Sequence, residues 1–279
     1  MIKNVLVAID GSEHSRAATE HALWIAERLH ASVVALHVID IVSIEGSFLH
    51  DISGSLGFEP YLDFSSKMRE VLEERGRALL AEFSERAAES NVRCETLMDV
   101  GVIANEICER ARTADIVVIG HRGVNEKFST GLLGGTAESV TRKCSKPLLV
   151  CPTEWKGRIE TPLLAYDGSQ RSASAMQAAA DFCVSLSLPL AVAHVARDEA
   201  GGARVLEEAK RYLASYSIQS TFSCLSGHAP EQIVATLRSE SHDLLFIGAY
   251  GHTRIVEMVL GSTTEYVLRN APCPIFLHR

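Results

Sequence analysis

Asn4-Val-Leu-Val-Ala-Ile-Asp-Gly-Ser12 and Thr161-Pro-Leu-Leu-Ala-Tyr-Asp-Gly-Ser169 decide the fold, because they are one segment written twice. Each is a short aliphatic run closed by Asp-Gly-Ser. Val5–Ile9 has no polar alternation, which is the pattern of a strand covered on both faces of a parallel sheet. Behind Asp10-Gly11-Ser12, apolar residues recur at Ala18, Ala22, Ile25 and Leu29, and behind Asp167-Gly168-Ser169 at Ala175, Ala179, Phe182 and Leu186. That is helical spacing, with Ser12 or Ser15 as the N-cap.

Working outward, Asn4–Val38 falls on Thr161–Val195 without a gap, and eleven of the 35 positions are identical, His37-Val38 and His194-Val195 included. A second block, Gly134–Val150, falls on Gly261–Leu277 with Gly, Thr, Glu, Val, Arg and Pro coinciding. Two collinear blocks at different offsets mean a duplication. The chain divides into residues 1–153 and 160–279, with Pro, Trp, Lys and Gly breaking the pattern between them. Val38 and Gly120 are 82 positions apart where Val195 and Gly248 are 53 apart, so the first copy carries extra residues. These read as a long loop, Ser43–Ser65, and an amphipathic helix, Lys67–Asn91. The loop follows strand two and is expected to act as a lid or a partner surface.

The expected fold is α/β: two doubly wound, five-stranded parallel sheets of Rossmann-like type. The strands of the first copy are Val5–Ile9, Val33–Val38, Arg93–Met98, Ile116–Ile119 and Leu148–Cys151, with helices at Asn105–Arg112 and Thr136–Lys143. Later strands of the second are Thr221–Leu225, Leu244–Ile247 and Ile275–Leu277.

Composition bounds the function. The chain has 279 residues, 47% hydrophobic and 22% charged, and a formal net charge of −8. An acidic chain without a Lys/Arg-rich run repels a phosphate backbone, so nucleic acid is not an expected partner. No apolar run approaches membrane-spanning length, and the N-terminal one is too short for a secretory signal. The seven cysteines are scattered without a Cys-x-x-Cys, as in a reduced, cytoplasmic protein. The histidines form no H-x-x-x-H or Cys/His cluster, so no protein-built metal site is expected. No Ser/His/Asp arrangement suggests a nucleophile. His37 and His194, matched at the end of strand two, read as satisfied sheet-end histidines.

The chemistry concentrates in Gly248-Ala-Tyr-Gly251-His252-Thr-Arg254, which leads to Gly261-Ser262-Thr263. Glycines let backbone approach a ligand, and successive free N–H groups make an anion-binding concavity. Ser262 and Thr263 open a helix, adding hydroxyls and the positive end of its dipole. Such parts at strand C-termini make a phosphate cradle. Strand-end glycines also simply make turns, and Ser-Thr also simply caps helices. Neither a P-loop with its Lys nor G-x-G-x-x-G after the first strand is present.

The spacing Gly248-x2-Gly251-x9-Gly261-Ser262, with Asp167 after strand one, His194-Val195 closing strand two and the terminal Arg269-Asn-Ala-Pro-Cys-Pro274-Ile-Phe-Leu, resembles the universal stress protein family in its tandem form. The resemblance spans both copies. It implies an adenine nucleotide, ATP or else AMP or ADP. Adenine would lie against backbone at Val195, and ribose and phosphates near Ala165 and Asp167. The polyphosphate would rest on Gly248, Gly251, Gly261, Ser262 and Thr263, with His252 and Arg254 on the same loop. Asp167 would bond ribose or help hold Mg²⁺. The first copy keeps Ala8, Asp10, Val38, Gly120 and Gly123. Ten residues rather than nine then precede Gly134, and Gly135 stands at the serine position with Thr136 as substitute hydroxyl. The resemblance further implies a pseudo-dimer of the two copies through their fifth strands, Leu148–Cys151 facing Ile275–Leu277, and allows a homodimer of whole chains. Regulatory binding without rapid catalysis is the expected function. A slow ATP-hydrolysing enzyme using Asp10 or Asp167, and a nucleotide-free interaction scaffold, are the alternatives.

Overall fold

A computed structural model describes residues 2–40, 60–123, 135–196, 198–249 and 261–278 of the chain. Strands β1 (Asn4–Ala8), β2 (Ser32–Asp40), β3 (Cys94–Gly101), β4 (Ile116–Gly120) and β5 (Leu148–Cys151) form the first copy. Strands β6 (Pro162–Ala165), β7 (Leu190–Ala196), β8 (Ser220–Ser226), β9 (Leu244–Gly248) and β10 (Ile275–His278) form the second. Each set is parallel, ordered β3-β2-β1-β4-β5 and β8-β7-β6-β9-β10. The expected doubly wound α/β halves are therefore present. Their fifth strands pair antiparallel, Ile275 opposite Val150, Phe276 opposite Leu149 and Leu277 opposite Leu148, so ten strands make one sheet.

Helices cover both faces. On one lie α1 (Glu13–Leu29), α2 (Pro60–Glu89), α5 (Gln170–Leu186) and α6 (Glu199–Leu213). On the other lie α3 (Ile103–Arg110), α4 (Gly135–Lys143), α7 (Ala229–Ser239) and α8 (Ser262–Asn270). Buried strand residues alternate between the two cores: Val5 and Val7 serve the first, Leu6 the second. This double burial is why β1 reads as an unbroken aliphatic run. Ser12 caps α1 by accepting from Ser15 N, and Ser169 caps α5 by accepting from Ser172 N, which settles the choice between Ser12 and Ser15.

Two expectations are corrected. The long helix begins at Pro60, so the end of the expected Ser43–Ser65 loop is helical. Residues 41–59, the rest of that loop, lie outside the described residues. Nor is the helix private to the first copy. Buried Gly76, Leu80, Phe83 and Ala87 of α2 stand where Gly202, Leu206, Ala209 and Leu213 stand in α6. Both helices are the crossover from second to third strand, and α2 has 30 residues against 15. Two helices of the second copy, α6 and α7, went unread in the sequence. Gly201-Gly202 in the first turn of α6 lowers its intrinsic helicity, and tertiary burial overrides this.

Candidate functional site

The carboxyl ends of the strands hold a pair of matching turns. After β1, Asp10 Oδ1 accepts from Ser12 N at 2.9 Å and Asp10 N donates to Ser15 Oγ at 3.1 Å. After β6, Asp167 Oδ1 accepts from Ser169 N at 2.9 Å. Gly11 and Gly168 between them sit at φ +82° and +77°, a conformation that selects glycine. One carboxylate oxygen of each aspartate thus holds the turn rigid at the start of a helix.

The glycines that follow β4 and β9 do different jobs. At Gly248 a methyl group would stand 2.6 Å from Arg171 C and 2.7 Å from Ser172 N, and at Gly120 2.9 Å from His14 C. Strand end and helix start are in backbone contact there, so both glycines are required by packing whatever else they serve. Gly123 is different. A methyl group there would meet Asp10 Oδ2 at 2.7 Å, so bare backbone lies against the carboxylate. The start of α8 has Gly261 as N-cap with no side-chain capping bond, followed by Ser262 and Thr263. At the start of α4, a side chain on Gly135 would meet nothing within 4 Å among the described residues, and Thr136 follows. Gly134, Gly251, His252 and Arg254 lie outside the described residues.

Val38 and Val195 each stand two residues past the last pair their strands make with β1 and β6, which are Ala8 opposite Leu36 and Ala165 opposite Ala193. All six residues belong to the face covered by α3, α4, α7 and α8. His37 Nδ1 donates to Ile9 O and His194 Nδ1 to Tyr166 O, both at 2.8 Å. The two imidazoles therefore tie strand two to the turn after strand one, as satisfied histidines.

Two residues near these turns carried no sequence expectation. Arg75 of α2 points its Nη2 at Asp10 O, 3.4 Å away, and Leu79 covers Gly11. Arg171 Nη1 donates to Ala249 O at 2.9 Å, fixing the backbone where the second glycine segment starts. Its counterpart is His14, whose ring lies 6.1 Å from that of His121. Alignment of the copies places Arg171 and His14 just past the shared Asp-Gly-Ser, which was the available signal, whereas Arg75, 65 residues from Asp10, left none.

The family profile described as the universal stress protein family matches residues 1–152 and again residues 160–279. The chain belongs to the universal stress protein family. Over its whole length it is 28% identical to universal stress protein Slr1230 of Synechocystis, covering 100% of both chains. It is 34% identical over 152 residues to universal stress protein MJ0531 of Methanocaldococcus jannaschii, 54% of this chain and 82% of that one. The crystal structure of a universal stress protein from Archaeoglobus fulgidus superposes with a TM-score of 0.76 at 21% identity, over 99% of this chain and 98% of the other, a likeness of fold.

In this universal stress protein, no helix among the described residues is long and apolar enough to cross a membrane. Among the same residues no three His, Cys, Asp or Glu side chains are grouped to hold a metal ion. No disulfide links any of the seven cysteines. Burial pushes the Cys183 and Cys273 thiols up to about 12 and Cys151 higher still, which keeps them inert.

Proposed function

We propose that this universal stress protein binds an adenine nucleotide, ATP or its shorter relatives AMP and ADP, as a regulatory ligand that it does not rapidly turn over. The observation that carries the reading is the start of α8. Its N-cap is a glycine, no side chain caps it, and Ser262 and Thr263 occupy its first turn at the carboxyl edge of the sheet. β9, which leads to it, pairs with β6, which ends at the Asp167 turn. Uncapped N–H groups, two hydroxyls and the helix dipole favour a phosphate, and Asp167 beside them suits a ribose hydroxyl or a phosphate-bound Mg²⁺. With no cluster of protein ligands among the described residues, such an ion would take much of its coordination from phosphate oxygens and water. Val195 would meet the base through its backbone, with Ala165 beneath the sugar. Gly248 orders the approach to the segment of sequence that carries Gly251, His252, Arg254 and Gly261. Ala8, Asp10, Val38, Gly120, Gly123, Gly134, Gly135 and Thr136 are the corresponding candidates in the first copy.

Denaturing the purified full-length chain and separating the supernatant is expected to release AMP, ADP or ATP. Added Mg-ATP at about a hundred times its Kd should stabilise nucleotide-free protein by about 2.7 kcal/mol, a shift of several degrees in Tm. No released nucleotide together with no thermal shift would refute binding. Turnover faster than about one per minute, abolished by Asp167→Ala, would replace the regulatory reading with the enzymatic one.

A further inference from the structure

We propose that the first copy's base position rejects adenine because it holds the Asp99–Arg110 ion pair, so that one chain binds one adenine nucleotide, in the second copy. The inference rests on the nucleotide reading above and sharpens it.

Strand register supplies the comparison. Asp99 of β3 lies opposite Val38, and Leu225 of β8 lies opposite Val195. Both neighbours are on the face where adenine would sit. Leu225 packs its side chain against the core beneath α7. Asp99 instead receives Arg110 of α3 in a two-pronged pair, Nε to Oδ2 and Nη2 to Oδ1, each at 2.7 Å. The position of Arg110 is held in α7 by Thr236, which is buried. Buried Ile107 and Ile233, three residues earlier on each helix, fix that equivalence. Around the pair the contrast continues. Glu106 folds over Gly101 where Gln232 folds over Gly227, and Glu95 stands at the position of Thr221. Three carboxylates and one guanidinium therefore stand at these positions in the first copy, and their four counterparts in the second, Leu225, Thr236, Gln232 and Thr221, carry no charge.

A purine ring laid on Leu225 covers methyl groups and displaces water that gains by leaving. Laid on Asp99–Arg110 it would strip water from an ion pair whose carboxylate oxygens are both already engaged by the guanidinium, a desolvation that Leu225 does not impose. At the phosphate end the first copy has Gly135 where the second has Ser262, and it also gains a charge. Arg75 adds a cation beside the Asp10 turn, where the second copy has Gly201. The proposed discrimination acts on the base.

Equilibrium dialysis of the full-length, nucleotide-stripped chain against Mg-ATP tests this. The wild type should bind one equivalent. Leu225→Asp with Thr236→Arg, which writes the first copy's pair into the second, should weaken that equivalent at least ten-fold. Asp99→Leu with Arg110→Thr should add a second equivalent, and circular dichroism identifies any variant that fails to fold. If one double variant misfolds, the other still decides the matter. Two equivalents in the wild type, or one that survives the Leu225/Thr236 exchange unchanged, would overturn the inference and leave nucleotide binding standing. No binding to the wild type would overturn both.

Discussion

Gly248 and Gly135 are both glycines of a candidate phosphate cradle, yet a side chain added at each meets opposite surroundings. At Gly248 it would press on the backbone of Arg171 and Ser172, which belongs to a capped helix start and has little room to yield. Gly248→Ala is expected to cost about 1–3 kcal/mol by overpacking, read as a lowered urea midpoint in the nucleotide-free chain. At Gly135 no described residue stands within 4 Å of an added side chain, so Gly135→Ser, which rebuilds the second copy's Gly-Ser-Thr, should stay within about 0.5 kcal/mol of the wild type. Equal losses at the two positions would show that packing does not distinguish them. The sequence assigned both to one kind of cradle, Gly248 on the glycine spacing and Gly135 at the serine position. It could not separate them, because backbone contact between a strand end and a neighbouring helix is set by tertiary packing and leaves no spacing of its own. The Asp-Gly-Ser turns were legible for the opposite reason. Their hydrogen bonds run between residues two to five apart, so the local sequence determines them.

Among the elements, the linker makes the two copies unequal. Trp155 packs edge-on against His21 with ring centroids 4.1 Å apart, and against Trp24 at 6.2 Å. A chain of two copies has one linker, so this seat is filled once. The matching positions on α5 are Ala178 and Asp181, which line an open cavity of ≈ 320 Å³. Beneath Trp155, His21 Nδ1 donates to Ala17 O at 2.7 Å, and burial lowers the ring to about 4 from the usual 6.5. Between those values the unfolded chain binds the proton and the folded chain does not. Stability is therefore full above pH 6.5 and falls as pH drops toward 4, by about 3 kcal/mol across the window. Trp155→Ala should cost about 1–3 kcal/mol at pH 7.5 for a half-buried indole. It should also flatten the acid slope, because water then reaches the ring. Urea midpoints of both proteins from pH 4.5 to 7.5 check this, and an unchanged slope in the variant would mean that Trp155 does not shield His21. The helix pair α2 and α6 shows why some elements escaped the sequence. The burial pattern relates them with few identities, Gly76 with Gly202 and Leu80 with Leu206 among them, and Phe83 against Ala209 with Arg75 against Gly201 obscures the kinship.

For the whole molecule, the antiparallel join of β5 and β10 converts two edge strands into interior ones and leaves β3 and β8 as the outer edges. Both hydrophobic cores cross that join. One runs from Val5 and Ile25 through Leu149 to Leu164 and Phe276, the other from Leu6 through Val150 to Ile275 and Leu245. Two domains on a flexible tether would unfold in separate steps, as chains of this length commonly do. Here the loss of either half exposes the fifth strand and the core of the other, so the chain is expected to unfold in a single transition. The chain's two tryptophans make the test selective, since Trp24 lies in α1 and Trp155 in the linker, and fluorescence reports the first copy alone. Far-UV circular dichroism reports both copies. The two urea curves should coincide in midpoint and slope. A second dichroism step that fluorescence does not see would mean that the halves unfold independently, and the shared sheet would then contribute little to their stability.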